Sequence, residues 1–131
     1  MDHRDTETLR LNRITEQVIG GCIEVHRALG PGLLESAYEE CVCYELSQSG
    51  LAFERQVKLP MVYKNVKLEC AYRMDVVVEG ILVLEIKAVE RLIPVHEAQL
   101  LSYLKLAKKP IGLLLNFHVP VLKDGIKRIR N

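Results

Sequence analysis

The chain has 131 residues, of which 49% are apolar and 27% are charged, a composition that indicates one compact globular domain and excludes a long disordered or low-complexity protein. The first residues lack the apolar segment of a secretory signal, and no apolar run approaches the roughly 18 residues that cross a bilayer, so we expect a cytoplasmic protein with no membrane partner. The net charge is +1, yet residues 1–60 hold 6 Lys/Arg against 10 Asp/Glu and residues 61–131 hold 12 against 7, which favours an anionic partner for the second half, with a solvated surface as the alternative.

Two amphipathic helices are predicted at the start of the domain, after an N-terminal tail of residues 1–10. From Asn12 to Leu29 apolar residues recur every three or four positions, the spacing of one helix face, and the Gly-Pro-Gly at 30–32 ends the pattern. A second such pattern runs from about Leu33 to Gln48. We therefore expect a domain over residues 11–131 that opens with two helices.

Three segments rich in Val, Leu, Ile and Tyr follow, at 53–62, 68–78 and 81–89. Turn-forming residues separate them, at Lys64-Asn65 and at Glu79-Gly80. This pattern predicts three strands of a meander.

The remaining elements are a helix and two strands. A helix is predicted from about Val95 to Lys108, then a buried strand over 111–117 and a short strand over 126–130. The order is thus ααβββαββ. A strand–helix–strand connection favours parallel pairing of 81–89 with 112–117, so the predicted fold is an α/β domain with a mixed sheet flanked by helices.

The four cysteines, at positions 22, 41, 43 and 70, form no CxxC pair. Their spacing argues against zinc, an iron–sulfur cluster or a disulfide framework. We expect buried free thiols.

Charged side chains interrupt two strands that are otherwise apolar. Because alternate strand residues share a face, Arg73 and Asp75 lie on one side of their strand, and Glu85 and Lys87 lie on one side of the next. Charges placed among core residues need a partner or a metal.

Whether Asp75 and Glu85 meet depends on the length of the turn between them. Pairing across a hairpin keeps the sum of paired residue numbers constant, so the two carboxylates are neighbours only if the connection has an odd number of residues. A three-residue loop around Gly80, or a two-residue turn with a bulge, meets this requirement, whereas a plain Glu79-Gly80 turn does not.

Two adjacent carboxylates repel unless a proton or a cation lies between them, and oxygen ligands select Mg²⁺ or Mn²⁺. The carbonyl of Ile86 can add an oxygen ligand, and Lys87 is placed to orient or deprotonate the attacking water, or to stabilise the charge on a phosphate. The alternative is an internal salt-bridge network of Arg73, Asp75, Glu85 and Lys87 without a metal.

Residues 32–38, Gly-Leu-Leu-Glu-Ser-Ala-Tyr, match the signature of the GxxExxY family of small bacterial proteins. The resemblance continues through residues 26–32, 72–75, 84–87 and 112–117, and so covers nearly the whole chain from about Leu11. That family is placed in the PD-(D/E)XK nuclease superfamily. The resemblance implies a restriction-endonuclease-like core and a Mg²⁺- or Mn²⁺-dependent nuclease that hydrolyses phosphodiester bonds of DNA, with RNA as an alternative. It also implies that Asp75, Glu85 and Lys87 are catalytic and that Glu35 is the helical glutamate that approaches the metal. Glu39 shares the helix face of Glu35 and is the alternative for this role, although a glutamate at this position is more often on the solvated surface.

Further residues resemble the RecB-like branch of that superfamily. Gln99 and Tyr103 match its Gln-xxx-Tyr motif and share a helix face, which implies contact with water or nucleic acid. His26 resembles a histidine that can bind the metal, although a hydrogen-bonded structural role is the alternative. Met74 replaces the nominal proline of the superfamily, which does no chemistry.

Two functional readings compete with cleavage, because a retained fold does not prove turnover. One is a catalytically silent module that binds nucleic acid or a protein partner, and a weaker one is a toxin-like or defence nuclease that needs a partner protein. A homodimer is compatible with cutting two strands. The candidate phosphate contacts are basic residues: Arg73, Lys105, Lys108, Lys109, Lys123, Lys127, Arg128 and Arg130.

Overall fold

The structure, a computed structural model, describes residues 3–69 and 72–131, with side chains described from Thr6 onward. The helices are α1 (His3–Leu29), α2 (Glu35–Gln48) and α3 (Pro94–Ala107), with a short 3₁₀ turn at Leu122–Gly125. The strands are β1 (Phe53–Lys58), β2 (Met61–Tyr63), β3 (Val66–Leu68), β4 (Arg73–Val78), β5 (Leu82–Lys87), β6 (Ile111–Asn116) and β7 (Ile126–Arg130).

A five-stranded mixed sheet forms the centre of the molecule, in the order β1-β4-β5-β6-β7. Neighbouring strands are antiparallel except β5 and β6, which are parallel and are joined through α3. The predicted α/β class, the mixed sheet and the parallel pair are confirmed.

The predicted three-stranded meander is wrong in one respect, because its first two segments are broken. β1 ends at Lys58, and β2 and β3 form a separate two-stranded hairpin around Lys64 and Asn65, both with positive φ. Pro60 lies at the break, and a proline cannot donate to a strand ladder. The main sheet therefore resumes only at Arg73.

Helix α1 begins at His3 rather than at Asn12, so the predicted tail is helical from His3 onward. The extra turns contain neither Gly nor Pro, and Arg10 donates to the Glu79 carboxylate over 3.5 Å. Polar residues thus extend the helix beyond its apolar face, which is why hydrophobic spacing did not locate its start.

The core lies on both faces of the sheet. On one face α1 and α2 cover Val76, Leu84 and Leu113, and on the other face α3 covers Val83 and Leu114. Since β5 and β6 are covered on both sides, all their apolar residues are buried. Packing on both faces of the sheet therefore holds the ends of β4 and β5 in a fixed position.

Cys22 and Cys43 are buried free thiols, as expected, whereas the free thiol of Cys41 is only half-buried. Cys70 lies outside the described residues. Burial raises the pKa of Cys22 to about 12 and that of Cys43 to about 11, so both remain protonated.

Within the described part of the chain, helices of the length and hydrophobicity needed to cross a membrane are absent.

Candidate functional site

The β4–β5 hairpin has the register that brings Asp75 and Glu85 together. Val76 pairs with Leu84 and Val78 with Leu82, so the connection is the three residues Glu79–Ile81, an odd number. Glu79 and Gly80 have φ values of 53° and 69°, and Ile81 N–H donates to the Val78 carbonyl over 3.1 Å. The expected odd-length connection, with Gly80 at positive φ, is confirmed.

Backbone pairing between β4 and β5 ends at Val76 and Leu84. Beyond this pair, the carboxylates of Asp75 and Glu85 form the hydrogen bonds between the two strands. The Asp75 N–H donates to Glu85 Oε1 over 3.2 Å, and the Ile86 N–H donates to Asp75 Oδ2 over 2.8 Å. Each carboxylate therefore binds the backbone of the opposite strand. Both side chains are held at the point where the strands separate.

Burial and mutual repulsion make this carboxyl pair hard to ionise. Burial, and then the Asp75 carboxylate, raise the pKa of Glu85 to about 8. The pKa of Asp75 is also raised, mainly by burial. The Lys87 ammonium opposes both shifts. The pair thus holds a proton where a cation would be equally suited.

A cleft of about 390 Å³ opens beside Asp75 and is lined by residues of α2, β1, β4 and β5: Glu35, Ser36, Glu39, Gln56, Asp75 and Ile86. Glu35 Oε2 accepts a hydrogen bond from Ala88 N–H over 3.3 Å. The structure therefore brings the helical glutamate to the strand end that carries Glu85 and Lys87.

The donor set fits a hard divalent cation with an incomplete protein cage. Among the described residues, no group of three or more His, Cys, Asp or Glu side chains is placed to hold a metal ion, so the protein ligands would be the two carboxylates and backbone oxygen. Two carboxylates that share a proton, with the Ile86 carbonyl between Glu85 and Lys87, supply only oxygen ligands. Mg²⁺ commonly binds through one or two carboxylates and keeps several waters.

The salt-bridge alternative is not supported, since the ion pairs of the described residues include none between Arg73 or Lys87 and either carboxylate. Arg73 is exposed at the start of β4. The carboxyl pair is therefore not neutralised by the two cations that the sequence places beside it.

The model of the PD-(D/E)XK nuclease superfamily matches residues 12–129. The chain belongs to this superfamily. Comparison with the curated proteins and with the solved structures finds no significant match. Proteins of the PD-(D/E)XK superfamily are typically metal-dependent nucleases.

Glu39 lines the same cleft as Asp75. Its burial differs from the solvated position that was the commoner expectation for it, the alternative being a carboxylate that approaches the metal. It is 7% exposed, and it accepts hydrogen bonds from Arg55 Nε and Nη2 and from Gln56 Nε2 at 2.8–3.1 Å. Its charge also raises the pKa of Asp75. Its position four residues after Glu35, on the same helix face, was the sequence signal that placed it near the site.

Strand alternation fails next to Asp75. Met74 packs in the same cluster as Val77, whereas Val76 packs on the opposite face of the sheet, although Met74 and Val76 were predicted to share a face. The neighbouring Gln56 on β1 has a φ of 49°, and its pairing with Asp75 is missing from the ladder. This local irregularity turns Asp75 toward the cleft beneath α2.

Tyr38, the tyrosine of the GxxExxY pattern, is fully buried and holds a loop. Its hydroxyl donates to the Gly30 carbonyl over 2.6 Å and accepts from Leu33 N–H over 3.1 Å. Its ring stacks on Phe117 with centroids 4.5 Å apart. The loop that precedes Glu35 is thereby closed, so Tyr38 acts by positioning.

The α3 motif lies on the other side of the carboxyl pair. Tyr103 is 7% exposed and its ring lies 6.0 Å from that of Tyr72. Burial, and then Glu85, raise the pKa of Tyr103. Gln99 is half-buried, one helical turn before Tyr103. The phenol is thus close enough to Glu85 to respond to its charge, and Gln99 shares its helix face.

His26 has the structural role that was the alternative to metal binding. Its Nε2 lies 2.8 Å from the Val119 carbonyl, so this nitrogen donates a hydrogen and is unavailable to a metal. We therefore leave His26 out of the proposed ligands.

Asn116 is a second residue that sequence reasoning left without a role. Its side chain binds both the N–H and the carbonyl of Val89, at 3.1 and 2.9 Å. This clamp fixes the segment after Lys87.

Several of the basic residues proposed to contact phosphate lie away from the cleft. Lys109 donates to the Gly80 carbonyl over 2.6 Å, five residues from Glu85 along the hairpin, or roughly 17 Å. Asn131, next to Arg130, binds the carbonyls of Leu104 and Lys109 at that same end. Lys127 forms an ion pair with Glu97. Lys105, Lys108 and Arg128 are exposed. Arg73 differs, since it stands two residues from Asp75.

Proposed function

We propose that this protein is a metal-dependent nuclease that hydrolyses phosphodiester bonds of nucleic acid, with DNA as the expected substrate and Mg²⁺ or Mn²⁺ as the cofactor. The observation that carries the proposal is the buried carboxyl pair, Asp75 and Glu85, beside Lys87. A pair with this raised pKa is costly to retain unless it serves chemistry.

In this proposal Asp75, Glu85 and the Ile86 carbonyl hold the cation. The cation supplies positive charge to the phosphate and makes water a better nucleophile. Lys87 follows Glu85 by two residues and its charge already acts on both carboxyls, so it is placed to hold the attacking water or to offset charge on the phosphate.

The surrounding residues have supporting roles. Glu35 lines the cleft from the α2 side and approaches the strand end at Ala88. Tyr103 and Gln99 approach from α3, where an amide and a phenol suit a phosphate oxygen or a water. The cation site is thus bounded on two sides by polar groups of different helices.

Within the superfamily, we assign the chain to the GxxExxY family and to the RecB-like branch. Gly32, Glu35 and Tyr38 support the first assignment, and Gln99 with Tyr103 supports the second. A cytoplasmic location is part of the same proposal.

Cleavage assays with Mn²⁺ on single-stranded, duplex and branched DNA and on RNA test this function. Asp75→Asn keeps an acceptor for the Ile86 N–H but removes the charge, so we expect cleavage to fall on the order of a hundredfold or more, and Lys87→Gln to act similarly. Asp124→Asn, exposed in the 3₁₀ turn, and Arg13→Gln, exposed on α1, are the matched controls.

A binding measurement separates loss of the cation from loss of chemistry. We expect Mn²⁺ to raise the melting temperature of the wild-type chain and of Lys87→Gln, but not that of Asp75→Asn. Equal cleavage by wild type and both site variants would refute the proposal. Nucleic-acid binding without cleavage by the wild type would instead establish the silent binding module.

A further inference from the structure

The β2–β3 hairpin presents apolar and aromatic side chains to solvent. Val62, Tyr63 and Val66 are exposed by 62%, 60% and 55%. Tyr63 pairs with Val66 at the turn, and Lys64 Nζ lies 5.4 Å from the centroid of the Tyr63 ring. The hairpin is hydrogen-bonded apart from the main sheet, so it carries an aromatic ring and a cation at its tip.

Beneath this hairpin lies a second cleft, with a volume of about 530 Å³. Its charged lining consists of Lys58, Lys67 and Arg73 against one acid, Glu69. These three cations take part in none of the ion pairs formed by the described residues. Their positive charge is therefore left for a ligand.

This basic cleft leads into the carboxyl site. Lys58 pairs with Arg73 across β1 and β4, two positions from Gln56 on one strand and from Asp75 on the other. On the α3 side, Tyr72 contacts Tyr103, whose pKa responds to Glu85. A polymer lying over Lys58 and Arg73 would thus continue into the site where Asp75 lies.

We infer that the β2–β3 hairpin and the cleft below it bind a single-stranded segment of the nucleic-acid substrate, in continuity with the carboxyl site. This inference rests on the proposed function and adds where the substrate lies and in what form. Lys58, Lys67 and Arg73 bind phosphates, and Tyr63 stacks on a base. Cations interleaved with exposed aromatic rings are the pattern by which proteins hold unpaired strands, whose base faces are free for stacking.

Fluorescence anisotropy with a labelled single-stranded DNA, in EDTA so that no metal or cleavage contributes, tests the surface on the full chain. We expect Lys67→Gln/Arg73→Gln to lower affinity about 25-fold at about 0.1 M salt and to reduce the salt slope by about 1.4, the effect of two phosphate contacts. The matched control is Arg13→Gln/Arg27→Gln, which removes two exposed charges from α1 and should leave both values unchanged.

Stacking is tested separately at the hairpin tip. Tyr63→Ala should weaken binding about five- to 150-fold, whereas Tyr63→Phe keeps the ring and should bind as wild type. Circular dichroism checks that each variant is folded, which is expected since all these side chains are exposed.

Unchanged DNA affinity in both Lys67→Gln/Arg73→Gln and Tyr63→Ala would overturn the inference, and so would equal losses in the α1 control. Preferential binding of duplex DNA, unaffected by Tyr63→Ala, would also overturn it. Because binding is measured without metal, this result does not depend on whether Asp75→Asn and Lys87→Gln impair cleavage. The proposed binding surface and the proposed cleavage activity are therefore tested independently of each other.

Discussion

Replacing Tyr38 with Phe removes one oxygen atom from a fully buried side chain while keeping its stacking on Phe117. The lost hydroxyl leaves the Gly30 carbonyl and the Leu33 N–H without their partner. A neutral hydrogen bond contributes about 0.5–1.5 kcal/mol, and water can reach the half-buried Gly30 and the exposed Leu33. We expect a loss of about 1–3 kcal/mol in the free energy of unfolding, or roughly 4–12 °C in melting temperature.

Urea denaturation followed by circular dichroism measures this loss, and Tyr44→Phe is the control because Tyr44 lies on the same helix but is 62% exposed. The control should change stability by less than about 0.5 kcal/mol. If Tyr38→Phe were as stable as Tyr44→Phe, the loop would not depend on the hydroxyl. The role assigned to the tyrosine of the motif would then be wrong.

Two further predictions concern the carboxyl pair and the short distance between Gly125 and the backbone of Asn116. The pKa of Glu85 is raised to about 8, so its contribution to stability is present below its usual pKa of 4.5 and is lost as the pH rises through about 8. In EDTA, the free energy of unfolding of the wild-type chain should therefore fall by a few kcal/mol more than that of Glu85→Gln between about pH 5 and about pH 9. If the free energies of unfolding of the two proteins changed in parallel with pH, the carboxyl pair would not hold a shared proton. A Cβ at Gly125 would lie 2.2 Å from the carbonyl oxygen of Asn116, so Gly125→Ala should destabilise by about 1–3 kcal/mol in thermal melts. Gly20→Ala, in an open helical position, should instead stabilise by about 0.5–1 kcal/mol, and a similar response of the two variants would show that this contact relaxes freely.

Local rules were sufficient for the carboxyl pair and for most elements of the fold. Hydrophobic spacing located α2, α3, β6 and β7 to within a few residues, because each ends at a Gly, a Pro or a change of period. The odd length of the turn between Asp75 and Glu85 was predicted from neighbouring residues alone, whereas the irregularity that turns Asp75 toward α2 lies beside Gln56 of another strand. Glu35 was placed by its motif.

Other features depended on contacts between distant segments, which no local pattern contains. Glu39 is buried because Arg55 and Gln56, about 16 residues later, supply its hydrogen bonds. His26 is held by Val119, 93 residues away, through a hydrogen bond that occupies its Nε2. The face change at Met74 likewise arises beside a residue of another strand, Gln56, with a positive φ.

The three-residue connection from Glu79 to Ile81 makes chain length itself a requirement of the site. Deleting one of these residues, or inserting one, would turn Asp75 to the opposite face from Glu85 while leaving every functional side chain in the sequence. A homologue could therefore keep all the motifs and still lack the site. Indels in this hairpin are accordingly a more telling sign of lost function than most substitutions around it.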